Sequence, residues 1–247
     1  MKLPRSLRLL LQGTIGLTLA VSSPFGLSDR SFAQPLPLTE NLVAFPSEQG
    51  KTLLRESDSL EDFVPLSSHF VTQENQAYCG IASITIVLNA LGIEAPIATA
   101  WNQNYFTQDN VLNADTEAII PASLIQRQGL TLAELAGILE QYPLQVDRYH
   151  GATISLAEFR QLIVENLAEP DNYVLINYLR KAIGQERGGH ISPIAAYHAE
   201  SDRFLVLDVS RYKYPPVWVK AEELWQATNT IDSVSGETRG ILLIQKK

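Results

Sequence analysis

At 247 residues, with 45% hydrophobic side chains and a formal net charge of −8, the chain is long enough for one full domain and its core. The acidic balance excludes the basic footprint of a nucleic-acid binder, and the composition excludes a disordered or collagenous protein. A single cysteine excludes an internal disulfide.

Lys2, Arg5 and Arg8 precede an apolar run from about Leu9 to Val21, and Ser31-Phe32-Ala33 supplies a small-x-small site before Gln34. This pattern predicts an exported chain, periplasmic or otherwise extracytoplasmic, with a signal peptide over residues 1–33 cleaved after Ala33. A single domain is then expected over residues 34–247. The apolar run is shorter than the roughly 20 residues a membrane span needs, so no stable anchor is expected after cleavage. Cleavage would remove four of the 19 basic and one of the 27 acidic residues, taking the net charge from −8 to −11.

Residues 34–65 form a polar lead-in, extended from Gln34 to Pro37 and with a short helix expected within Leu53 to Phe63. The Gln-rich stretch Gln73-Glu74-Asn75-Gln76-Ala77-Tyr78-Cys79-Gly80 follows, running straight into apolar Ile81 to Leu91 and stopped by Gly92. That composition predicts a buried helix with Cys79 at its N-terminus, where unsatisfied amides and the macrodipole favour a thiolate. Gln73, six positions upstream, is close enough to help bind an oxyanion beside the sulfur. A lone cysteine beside an apolar helix is more often a small buried hydrophobe, so a catalytic role needs partners elsewhere in the chain.

Ile119 to Gln128 has helical apolar spacing. Thr131-Leu132-Ala133-Glu134 and Ser155-Leu156-Ala157-Glu158 are capping boxes, predicting helices that run to about Tyr142 and about Leu167. After Pro170 the texture changes. Tyr173–Tyr178, His190–Tyr197, Phe204–Val209 and Gly240–Ile244 are predicted strands, with a short helix over Ala221–Ala227. Helices first and strands later, without βαβ alternation, predict an α+β fold with an antiparallel sheet.

His190 opens one strand and Asp208 lies near the end of the next. Positions equidistant from the turn of a hairpin face each other, so the two are expected to lie close to opposite. With Cys79 they make the set that thiol nucleophile chemistry needs: a thiolate, an imidazole that moves protons, and a carboxylate that fixes its tautomer. His69, His150 and His198 have no comparable partners, and no zinc-type ligand spacing occurs, so no metal site is expected.

The sequence resembles the phytochelatin synthases, and most closely their short bacterial relatives. The resemblance is carried by Thr72-Gln73…Tyr78-Cys79-Gly80-Ile81-Ala82-Ser83, Asn177-Tyr178-Leu179-Arg180, Gly189-His190-Ile191-Ser192-Pro193 and, most specifically, Tyr212-Lys213-Tyr214-Pro215-Pro216-Val217-Trp218. It extends from about residue 44 to 245. It implies a papain-like cysteine protease fold, a helical N-terminal half whose buried Cys helix packs on a C-terminal antiparallel sheet. It also implies Cys79, His190 and Asp208 as a catalytic triad with Gln73 as oxyanion donor. Arg180, Asn177, Gly189, Lys213, Asp232 and Arg239 are implied near the substrate. Arginine can grip a carboxylate bidentately, and Asp232 could pair with an ammonium.

The implied reaction is on glutathione. Cys79 attacks the Cys–Gly peptide bond, glycine leaves, and a γ-glutamylcysteinyl thioester passes to water or to a second glutathione. Plant members of the family carry a cysteine-rich C-terminal extension associated with metal response, whereas this chain stops at Lys247 without a second cysteine. The expectation is therefore chiefly hydrolysis to γ-glutamylcysteine. No obligatory cofactor is expected, and heavy-metal ions such as cadmium would act through metal–glutathione thiolates. Homodimerisation is suggested by the resemblance alone. Two alternatives stay open: a papain-like protease cleaving double-glycine leader peptides, and a non-enzymatic exported protein that binds a thiol or a metal.

Overall fold

The structure, a computed structural model, describes residues 35–247; the predicted signal peptide and its cleavage site lie outside them. In chain order come β1 (Val43–Ala44), α1 (Glu48–Arg55), α2 (Phe63–Ser68), α3 (Cys79–Ala90), β2 (Ile97–Ala98), β3 (Gln103–Asn104), α4 (Ala114–Ile119), α5 (Ala122–Gln128) and α6 (Leu132–Leu139). These are followed by β4 (Leu144–His150), α7 (Leu156–Leu167), β5 (Asn172–Leu179), β6 (Gly189–His198), β7 (Arg203–Val206), β8 (Val217–Lys220), α8 (Ala221–Thr228) and β9 (Gly240–Lys246). Seven strands form one sheet in the order β1-β8-β7-β6-β5-β9-β4, and every pairing in it is antiparallel. The expected α+β fold, with the Cys helix packed on a C-terminal antiparallel sheet, is what the chain forms.

Helix α3 is the element around which one face of the core is built. Every residue from Cys79 to Leu88 is buried, so the helix is apolar all round rather than amphipathic. Ile81, Ile84, Ile86, Val87 and Leu88 are fully enclosed, and burial of each contributes about 1.5–3 kcal/mol. Its two buried hydroxyls bond back along the helix, Ser83 Oγ to the Cys79 carbonyl (2.7 Å) and Thr85 Oγ1 to the Ile81 carbonyl (2.9 Å). Gly92 ends the segment at φ +59°, a left-handed conformation that costs glycine little. Both capping boxes form, Thr131 with Glu134 ahead of α6 and Ser155 with Glu158 ahead of α7.

The sheet is covered on both faces, which was not expected. One core cluster joins α3 and α6 to Tyr173, Leu175 and Ile191 of the sheet. A second joins α7 and α8 to Val174, Ile176 and Tyr178 on the alternate positions of β5. Helices that follow the first half in sequence therefore cover the sheet's second face.

Local expectations needed correction at four places. The helix expected within Leu53–Phe63 starts earlier, because Ser47 caps α1 by accepting the Gly50 amide (3.0 Å); Ser59 is instead drawn into a bridge with Tyr197 of β6. The helical spacing over Ile119–Gln128 is interrupted, because Pro121 holds Ile120 extended (φ −154°, ψ 129°) and separates α4 from α5. The edge strand β4 was not foreseen, since only Leu144 of its seven residues is buried and its alternation fails at Arg148-Tyr149. The strand expected over Phe204–Val209 ends at Val206, which leaves Asp208 in irregular backbone.

Candidate active site

Cys79 is the first residue of α3, and no side chain caps that N-terminus. The first-turn amides are thus unclaimed by a capping oxygen and add positive potential at the sulfur. The close fit around the thiol is set by Gly80, where a Cβ would stand 2.8 Å from Leu130 Cδ1. Ser83 Oγ also reaches the Ile191 carbonyl (3.2 Å), tying the Cys helix to the strand that bears His190.

Cys79, His190 and Asp208 are brought together, all of them buried. His190 Nε2 bonds Asp208 Oδ1 at 2.9 Å, leaving Nδ1 for the Cys79 thiol, which is in hydrogen-bonding contact with the imidazole. The route to this contact differs from a directly opposed pair. Strands β6 and β7 pair Ile194 with Val206, and the Leu207 amide donates to the Pro193 carbonyl, so Asp208 lies level with Ser192. It reaches His190 diagonally, from chain that has already left the strand. The Tyr178 ring stands perpendicular to the imidazole at 5.7 Å and closes the site on that side.

Cys79, His190 and Asp208 shift one another's titration. Burial pushes the Cys79 thiol up, but the hydrogen bond and charge of His190, a backbone hydrogen bond from Ile191 and the charge of Arg180 together bring it below its ordinary value. Burial and Arg180 push His190 down, and the charge and hydrogen bond of Asp208 with the contact to Cys79 more than reverse this. Burial likewise pushes the Asp208 carboxyl up, yet His190 and Arg180 hold it well below the usual carboxylate range. These shifts run towards thiolate, imidazolium and carboxylate.

Asp208 accepts four hydrogen bonds. Besides His190, Arg180 donates from Nη1 to Oδ2 (2.7 Å) and from Nη2 to Oδ1 (2.8 Å), and the Ser210 amide donates to Oδ1 (2.9 Å). Arg180 is buried, stacks over Tyr214 at 5.2 Å and also donates to Gln185. Resemblance suggested Arg180 as a substrate ligand; its guanidinium is spent on Asp208, and it does not line the cavity. Lys213 is also elsewhere, paired with Glu186 at 2.8 Å.

Gln73 is buried beside the site. Its Nε2 donates to the Asn75 carbonyl (2.6 Å) and to the Tyr212 hydroxyl (3.2 Å), and its Oε1 accepts from Ser210 Oγ (2.6 Å). The longer bond, to a half-exposed phenol, is the one an oxyanion would displace. Ser210 thus links Gln73 through its hydroxyl to Asp208 through its amide.

A cavity of about 670 Å³ opens beside Cys79 and His190. Asn177, Gly189, Asp232 and Arg239 line it, the four remaining residues proposed near the substrate. Arg239 Nη1 donates to Asp232 Oδ2 (2.7 Å) and to Asn177 Oδ1 (3.0 Å), while Asn177 Nδ2 and Arg239 Nε have no partner among the described residues. Gly189 makes room for this pair, since a Cβ there would stand 2.6 Å from Arg239 Nη1. Gln126, Arg127 and Gln128 at the end of α5 line the same cavity. Sequence reasoning missed these three; only the helical spacing of their segment was visible.

The family model described as Phytochelatin synthase matches residues 33–241. Glutathione gamma-glutamylcysteinyltransferase 3 of Lotus japonicus is 35% identical over 207 residues, which cover 83% of this chain and 42% of that protein. Glutathione gamma-glutamylcysteinyltransferase 1 of Arabidopsis thaliana is 31% identical, with the same coverage of each. The chain spans about two-fifths of the length of these relatives. Among solved structures, the peptidase domain of Streptococcus ComA aligns at 10% identity with a TM-score of 0.42, over 72% of this chain and 97% of that one.

Proposed function

The chain belongs to the phytochelatin synthase family, and from that premise we propose that it is a cysteine-dependent glutathione γ-glutamylcysteinyltransferase that releases glycine through an acyl-enzyme. The observation that carries this is the contact chain Cys79–His190–Asp208 at the edge of a cavity that also holds the Asp232–Arg239 pair. In this reading the Cys79 thiolate attacks the carbonyl of the Cys–Gly peptide bond. The resulting oxyanion is met by the Cys79 amide and by Gln73 Nε2, released from Tyr212. His190 gives its proton to the departing glycine nitrogen, and a γ-glutamylcysteinyl thioester remains on Cys79. His190 then takes a proton from water, or from the amine of a second glutathione, as that nucleophile attacks the thioester and restores the thiolate. Asp208 holds the imidazole in the tautomer and orientation that both steps require.

Substrate recognition follows from the lining. The γ-glutamyl head of glutathione carries an ammonium and a carboxylate on one carbon, complementary to Asp232 and Arg239 side by side. The unpartnered Asn177 amide has a donor to spare for a substrate oxygen. Cadmium and similar ions enter as thiolate complexes of the substrate. Export is proposed from the pattern of Lys2 to Ala33 and is tested by N-terminal sequencing of the secreted chain, which should begin at Gln34.

Mass spectrometry of the 247-residue chain mixed with glutathione, with and without cadmium, tests the reaction. A γ-glutamylcysteinyl adduct on Cys79 together with free glycine is expected, and neither with Cys79→Ser. The ratio of γ-glutamylcysteine to longer peptides tells hydrolysis from transfer. No adduct and no glycine would end the glutathione assignment.

A further inference from the structure

The charges lining the cavity do not cancel, and the imbalance falls on one residue. Cys79 and His190 add no net charge, whether as thiol and imidazole or as thiolate and imidazolium, and Asp208 is neutralised by Arg180 behind them. Asp232 and Arg239 form a second neutral pair at 2.7 Å. Lys213, outside the cavity, is matched by Glu186. Arg127 remains. It sits in the last turn of α5, lines the same cavity as Asp232 and Arg239, and makes no ion pair among the described residues.

Glutathione carries two carboxylates and one ammonium, hence one net negative charge with its thiol protonated. A neutral Asp232–Arg239 pair can satisfy a zwitterionic head group, but it cannot compensate that remaining charge. We infer that Arg127 is the specificity residue that meets a substrate carboxylate in the cavity, supplying the one positive charge the rest of its lining lacks. Guanidinium suits the task, because it presents a planar fork to a carboxylate and stays charged at any working pH. Gln126 and Gln128 flank it and leave the wall otherwise neutral. Gln126 is itself anchored, its Nε2 donating to the Tyr78 hydroxyl (3.2 Å) next to Cys79, so this wall is fixed relative to the nucleophile. The sequence gives no sign of this role, because Arg127 at a helix C-terminus has the ordinary placement of a cation complementing the macrodipole.

The inference rests on the glutathione assignment, and its test separates the two. Equilibrium binding is measured in the Cys79→Ala background, which needs no turnover, with and without Arg127→Gln. Three probes are used: glutathione, its glycine ethyl ester, and 4-aminobutyryl-cysteinylglycine, which lacks only the α-carboxylate. Arg127→Gln should weaken glutathione binding about tenfold or more, the worth of a charge-assisted hydrogen bond. The loss should vanish for the one probe whose missing carboxylate is the partner, which names that carboxylate. Unchanged glutathione binding, or an equal loss with all three probes, overturns the inference. Failure of the wild-type chain to release glycine from glutathione would instead overturn the assignment beneath it. Arg127 is exposed, so its replacement leaves the core intact.

Discussion

The guanidinium of Arg180 donates to both carboxylate oxygens of Asp208, at 2.7 and 2.8 Å, where both side chains are almost shut off from solvent. Asp208 in turn holds His190. In the proposed reaction Arg180 would therefore be a positioning residue, acting only through the carboxylate that orients the imidazole.

Arg180→Lys keeps the charge and loses the fork, and Arg180→Ala leaves Asp208 buried beside a single cationic partner. The alanine variant should lose roughly 3–5 kcal/mol of stability, as expected when one member of a buried pair is removed. The lysine variant should keep more of its stability yet lose at least about tenfold in glycine release, because one point charge cannot fix the carboxylate plane. Thermal melts and glycine assays on both variants check this. Full activity in Arg180→Lys would show that the bidentate geometry does not matter.

The contact between Cys79 and His190 predicts a pH profile. With the thiol below its ordinary value and the imidazole above its own, alkylation of Cys79 by iodoacetamide should persist at pH values below the usual thiol range of about 8.5. In His190→Ala the burial of the sulfur is no longer opposed by the imidazolium, so the midpoint should move upward past the ordinary value. An unmoved midpoint would place the source of thiolate stabilisation elsewhere.

Gly189→Ala should act on the substrate cavity rather than the fold. Its Cβ would stand 2.6 Å from Arg239 Nη1, and the far end of that side chain can shift away. In doing so it would leave Asn177 and Asp232, so glutathione binding should weaken several-fold while the melting temperature changes little. A binding isotherm beside a thermal melt distinguishes this outcome from general destabilisation.

Asp62 makes a prediction about stability. It is 1% exposed, its Oδ2 has no partner among the described residues, and burial with the neighbouring Glu61 pushes its carboxyl up to about 8. The folded chain thus keeps a proton that the unfolded chain releases near pH 4. Stability attributable to this group falls as pH rises from about 4 to about 8 and is flat above. Asp62→Asn should therefore stabilise the chain on the order of 2–4 kcal/mol more at pH 8.5 than at pH 5. Denaturant melts at the two pH values measure the difference, and an equal effect at both would mean that Asp62 stays ionised throughout.

Much of this molecule follows from local chemistry. The capping boxes at Thr131 and Ser155, the apolar run after Cys79 with Gly92 at its end, and the strands around Tyr173, His190 and Gly240 were legible because each is specified within a few residues by hydrogen bonding or side-chain periodicity. Cys79, His190 and Asp208 could be singled out because their residue types have few other uses together, and the motifs around them place the chain in its family. What the sequence could not express was the assignment of partners. Arg180 and Arg239 are both arginines beside polar motifs, yet one is consumed by Asp208 and the other opens on the cavity. Arg127 carries no local signal in the sequence, and only the fold brings it to the cavity that Asp232 and Arg239 also line. Strand β4 and the two-sided covering of the sheet were likewise hidden, since β4 is an exposed edge held by β9 from about a hundred residues away. Sequence by itself singled out the candidate site residues and most of the helical and extended segments, because those signals are local. Only the tertiary structure decided which charge meets which, because the energy of a charge depends on distance and burial, and both are set by segments far apart in the chain.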